Sequence, residues 1–162
     1  MKKTILSLMI LLLAGFSLTA EAQKKKVTYK IAKAGVGIDG LRVGRSTRAD
    51  VIKKYGRNFT TKKHGGYSAQ MRYRNGMSFY YCQKDDRQVV FDIELRSPAR
   101  VKTAKGIVLN RTRLSQVYKK YGKPKEGLQF RGIEFYYNTT RGRKIITVID
   151  IVEKGGMRQC KE

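Results

Sequence analysis

One stretch of this sequence occurs twice, and that fact restricts the possible folds more than any other. Residues 45–56 read RSTRADVIKKYG, and residues 111–122 read RTRLSQVYKKYG, sixty-six positions later. A second correspondence has an offset of fifty-six: GMSFYY at 76–81 against GIEFYY at 132–137, continuing as VVFDIEL at 89–95 against IITVIDI at 145–151. A ten-residue excess between the first helix and its sheet accounts for the change of offset. The chain therefore reads as two tandem copies of one unit.

Each copy opens on a short extended segment, Leu41 and Val43 or Ile107 and Leu109. Gly44 or Asn110 follows, residue types that tolerate positive φ. Ser46 and Thr112 are the expected N-caps. Leu114, Val117, Tyr118 and Tyr121 fall at i, i+3, i+4 and i+7, one apolar stripe, with Val51, Ile52 and Tyr55 matching in the first copy. Gly56 and Gly122 end the helices, and Pro124 blocks resumption. Tyr67 to Arg74 alternates, Asn75-Gly76 is a hairpin dipeptide, and Met77 to Cys82 and Val89 to Leu95 alternate again. Leu128 to Phe130, Ile133 to Tyr137 and Ile145 to Ile151 repeat the scheme, and the stretch around Pro98 connects the copies.

The expected fold is α+β: two tandem units, each a short helix on a three-stranded antiparallel meander, which could join into one larger curved sheet. The expected divisions are a leader at 1–22, a basic lead-in with an edge strand at 23–40, a first repeat at 41–98 and a second at 99–162. GVGIDG at 35–40 has the spacing of a dinucleotide fingerprint, but extended chain follows it. A phosphate cradle needs a helix there.

Lys2 and Lys3, the apolar run from Ile5 to Phe16, and Ala20-Glu21-Ala22 read as a secretory signal peptide cleaved before Gln23, with an uncleaved membrane anchor as the alternative, for which the run is short. No transmembrane segment is expected after its removal, and Phe16 stands where a lipidated cysteine would have to be. The protein is expected in the periplasm or outside the cell. In an oxidising compartment Cys82 and Cys160 are expected to form one disulfide.

The order of Gly or Asn, a hydroxyl residue, a helix ending in Tyr-Gly, then GI-x-F and an alternating strand resembles a class of exported bacterial α/β repeats. That class includes the β-lactamase inhibitory protein and the SmpA/OmlA-type lipoprotein of outer-membrane assembly. The resemblance covers roughly residues 36–155. It implies a protein that binds other proteins or lipids and is not an enzyme, and no contact residue carries over from it.

The chain offers little to chemistry. His64, its one histidine, lies in a basic stretch that reads as a solvated loop, with no orienting carboxylate near it in sequence. Asp85-Asp86 reads as a turn, and no metal-ligand spacing occurs. No catalytic, metal or cofactor residue is assigned.

Charge is more informative. Lys and Arg number 36 against 12 Asp and Glu, a net charge of +24, and net charge speaks to partners rather than to fold. Asp92, Glu94, Glu134 and Asp150 are expected on the open sheet face, balanced by Arg72 and Arg74. The same face is expected to carry Tyr80 and Tyr136 beside Val90, Ile146 and Val148. Tyr80, Tyr136, Arg72 and Arg74 are thus the candidate contacts for another envelope or secreted protein. The alternative is a polyanion, such as lipopolysaccharide or anionic lipid, held by Lys53, Lys54, Lys119 and Lys120 on the helical flank. Sequence-specific nucleic-acid binding is not expected, since no such motif is present.

Overall fold

A computed structural model describes residues 27–124, 127–155 and 160. The leader at 1–22, the stretch 23–26 and Lys125 lie outside the described residues. In chain order the elements are β1 (Lys30–Ala32), β2 (Gly37–Ile38), β3 (Leu41–Arg42), α1 (Arg48–Tyr55), β4 (Phe59–His64), β5 (Ser68–Tyr73), β6 (Met77–Cys82), β7 (Val90–Arg96), β8 (Val101–Thr103), α2 (Leu114–Tyr121), β9 (Gln129–Phe130), β10 (Ile133–Thr140) and β11 (Arg143–Val152).

The expectation of two helix-on-three-strand units is overturned. The described chain is mostly β, built on a single seven-stranded antiparallel sheet in the order β4-β5-β6-β7-β11-β10-β9. Four of these strands come from the first half and three from the second. The fourth is β4, whose residues Phe59–His64 account for most of the ten-residue excess. Its four middle residues, Thr60 to Lys63, are all exposed. A strand solvated on both faces shows no period-two pattern, so it reads as a loop. Its lysines suit an edge position, where charge discourages pairing with other chains.

The halves meet where β7 pairs with β11, Glu94 opposite Asp150 and Leu95 opposite Ile149. Glu94 and Asp150 are fifty-six residues apart, so the seam pairs a position with its own counterpart. Other features recur at the same offsets. The register of β6 on β7 shifts between Tyr80 and Tyr81, and that of β10 on β11 between Tyr136 and Tyr137. Gly44 and Asn110 have φ of 73° and 60°, and Gly56 and Gly122 have φ of 78° and 85°.

One face of the sheet packs the core. Val51 of α1, Leu114 and Val117 of α2, Ala32, Ile38, Leu41 and Val101 all bury against Met71, Phe79, Ile93, Phe135, Ile149 and their neighbours. Tyr55 lies 5.6 Å from Phe79 between ring centroids, and Tyr121 lies 5.1 Å from Phe135, so each helix closes on its own half's phenylalanine. An eight-residue helix is too short to persist alone. Burial of these rings, worth about 2–3 kcal/mol each, holds it.

The lead-in differs from expectation. Its strand is Lys30–Ala32, which pairs in parallel with β8 in a separate two-stranded sheet. The glycines of 35–40 build the β2–β3 hairpin, whose Ile38 and Leu41 are buried. Asp39 accepts from Tyr55 Oη at 2.8 Å and pairs with Lys30, which ties this segment to α1.

The helix caps also differ from expectation by one position. Thr47 is the N-cap of α1: its Oγ1 accepts from Asp50 N at 3.2 Å, while Asp50 Oδ2 accepts from Thr47 N at 2.8 Å. Ser46 Oγ instead accepts from Arg42 N at 2.9 Å, as Thr112 Oγ1 does from Val108 N at 2.8 Å. Both hydroxyls pin the turn before the helix. Thr47→Ala is expected to lower stability by about 1 kcal/mol in chemical denaturation, and Arg113→Ala, which removes no cap bond, by much less.

Candidate functional site

The face opposite the core carries the unusual chemistry. Strand alternation and the pairing register place one residue from each strand in a row: Thr60, Arg72, Ser78, Glu94, Asp150, Glu134 and Gln129. Three acids thus stand on three adjacent strands, spaced about 4.8 Å apart at the backbone. Asp92 joins them from the next row, opposite Tyr80 and Val152. All four are buried, with Asp92 5% and Asp150 6% exposed.

The acids differ in how they are satisfied. Glu94 is held by the Arg96 guanidinium, at 2.8 Å from Nε and from Nη2, and its Oε2 lies 3.4 Å from Tyr80 Oη. Tyr136 Oη donates to Glu134 Oε2 at 3.2 Å. Asp92 and Asp150, by contrast, each keep an Oδ1 with no hydrogen-bond partner. Desolvation, reinforced by Glu94 and Glu134, pushes the Asp92 carboxyl up to about 7. Desolvation with the charges of Asp92, Glu94 and Glu134 pushes Asp150 up to about 8, against a smaller opposing effect of Arg96. Burial and the neighbouring acids push Tyr80 upward, and Tyr136 to about 12, so both phenols remain donors.

His64 belongs to this face and is not a solvated loop residue. Its ring lies 5.5 Å from that of Tyr80, and its Nε2 is 3.4 Å from Gln70 Oε1. Gln70 Nε2 in turn donates to Tyr80 Oη at 2.7 Å. A polar chain therefore runs from His64 through Gln70 and Tyr80 to Glu94 and Arg96.

The structure brings Tyr80 and Tyr136 onto this face, Tyr80 partly buried and Tyr136 48% exposed. Their expected neighbours Val90 and Ile146 are core residues, because the two register shifts turn them inward and leave Phe91 and Thr147 as the extra residues. Val148 does lie here, opposite Tyr136. Arg72 stands in the row beyond Ser78 and Arg74 in the following turn; both are exposed. The acids' ion pair among the described residues is made by Arg96, which sequence reasoning missed. The signal was present: Arg96 is two residues from Glu94 and so shares its face. A cleft of about 580 Å³ opens beside Arg96, Tyr136 and Val148.

Lys53, Lys54, Lys119 and Lys120 occupy the last turns of α1 and α2 and are exposed, on the side of the molecule away from the acids. Cys82 and Cys160 are bonded, joining residues 78 apart. The bridge sits at the end of the face where Cys82 is in register with Ser68 and His64. No group of three or more His, Cys, Asp or Glu among the described residues is arranged to hold a metal ion. No helix among them is long and apolar enough to cross a membrane. No protein-family model matches the chain, and no curated protein or solved structure is found similar to it.

Proposed function

We propose that this is an exported, non-enzymatic binding protein, built from a duplicated unit, that engages another envelope or secreted protein through the open sheet face. One observation carries the reading. The other described elements α1, α2, β1, β2, β3 and β8 send their buried apolar residues to the core side, so the face with Tyr80 and Tyr136 has no second layer from them. Partly exposed tyrosines beside an arginine are the residue types enriched in interface anchors. The resemblance to exported inhibitor and assembly repeats supports the same direction, as does the recurrence of helix, glycine and register-shift positions.

A second reading has its own support: the exposed Lys-Lys pair recurs at the end of both helices and suits phosphate-bearing lipid or lipopolysaccharide. The two separate by salt. A protein partner on the sheet face is expected to stay bound to immobilised protein at about 0.5 M salt, where screening leaves only close contacts, and to be lost with Tyr80→Ala plus Tyr136→Ala. Binding that survives those changes but collapses when Lys53, Lys54, Lys119 and Lys120 become serine would overturn the sheet-face reading in favour of the flank.

A further inference from the structure

We infer that the acid row is the seat for an organic cation, the guanidinium or ammonium of a basic side chain projecting from the partner. The inference rests on the sheet-face reading and names the chemistry of its anchor. A chain with 36 basic and only 12 acidic residues places four of the acids in one buried patch. Two of them, Asp92 and Asp150, hold oxygens that have lost water and gained no donor. A buried acceptor without a donor is destabilising, so such atoms are rare in a finished structure. A donor arriving with a partner would remove that cost.

The surroundings select the kind of donor. No metal-ligand cluster is found among the described residues. The row presents carboxylates at strand spacing, with the phenols Tyr80 and Tyr136 in the adjoining rows on either side, and planar organic cations are held by carboxylates and aromatic faces together. The protein already shows the interaction once, in the fork of Arg96 on Glu94. The overall charge of +24 restricts the partner further. A broadly basic surface would be repelled before contact, so the anchor is one lysine or arginine standing in an otherwise acidic surface.

The groups facing Asp92 and Asp150 are Tyr80 from β6, Glu94 and Arg96 from β7, and Glu134 and Tyr136 from β10, with His64 of β4 behind Gln70. A cation stabilises the charged form of the aspartates, so seating it expels a proton and affinity rises with pH.

The test uses the full mature protein and two small probes, acetyl-arginine amide and its neutral analogue acetyl-citrulline amide, at matched ionic strength. The arginine probe is expected to shift the Tyr80 and Tyr136 ring resonances saturably, about tenfold more tightly at pH 8 than at pH 6, and the citrulline probe is not. Asp92→Asn with Asp150→Asn is expected to fold and to lose the response. Equal response to both probes, no saturable response, the same saturable shifts with calcium chloride, or probe-independent dimerisation would each overturn the inference. If the probes fail while a tyrosine-dependent partner is still captured, this inference falls and the sheet-face function stands. If the arginine probe binds but no tyrosine-dependent partner is captured, the cation seat stands and that function falls.

Discussion

Replacing Asp92 and Asp150 together with asparagine is expected to raise stability at pH 9 by on the order of 3 kcal/mol, with almost no change at pH 4. Both carboxyls are pushed up, to about 7 and about 8, chiefly by burial and then by neighbouring acids. Their values in the unfolded chain are close to 4. Between those limits the folded protein holds protons that the unfolded chain has released. Stability from these groups is therefore full below about pH 4 and is lost as pH rises through 7 and 8. Asp50 acts in the opposite sense. Its bonds to the Thr47 backbone and hydroxyl hold it below the usual carboxylate range, so its contribution is present above about pH 4 and lost below. The melting temperature of the unmodified protein should accordingly peak in mildly acidic buffer and fall toward pH 9, and the double variant should flatten the alkaline side. Parallel curves for the two proteins from pH 5 to pH 9 would show that the aspartates are not held neutral by the sheet.

Loss of the bridge between Cys82 and Cys160 should have an effect of similar size at all pH values. The closed loop spans 78 residues in sequence, and opening one of that length costs about 4 kcal/mol in the chain-entropy account. In a domain of this size that corresponds to a fall of roughly 10 °C in Tm. Cys82→Ser with Cys160→Ser, compared with the parent under non-reducing conditions, measures it directly. The freed unfolded chain also exposes more surface, so the denaturant slope should increase. An unchanged midpoint in reductant would mean that the bridge does not constrain the unfolded chain.

The parts of this fold legible in the sequence are those written into local pattern. Both helices, their terminal glycines, the positive φ of Gly44 and Asn110, the Asn75-Gly76 turn and the cysteine pair all follow from residue type and spacing. What escaped depends on partners distant in sequence. The strand at Phe59–His64 has polar residues on both faces, so nothing in its pattern marks it. Each register shift adds one residue and reverses every side chain beyond it, so Val90 and Ile146 turn into the core. Alternation put Asp92, Glu94, Glu134 and Asp150 on one side of the sheet, but their alignment into a row needed the pairing of β7 with β11. Without that pairing, Arg72 and Arg74 looked like the acids' counter-charges, and Arg96 was overlooked.

The junction of Glu94 with Asp150 at the middle of the sheet has a consequence for the halves as separate molecules. A fragment ending near Arg96 would have a bare central ribbon, and two such fragments could meet about the same axis, glutamate against glutamate. Like charges directly opposite weaken a strand pair, and an association so weakened would depend on concentration. Continuity of the polypeptide removes that dependence. A single continuous chain thus keeps, in the middle of its sheet, a pair of acids that two separate fragments would meet only at high concentration.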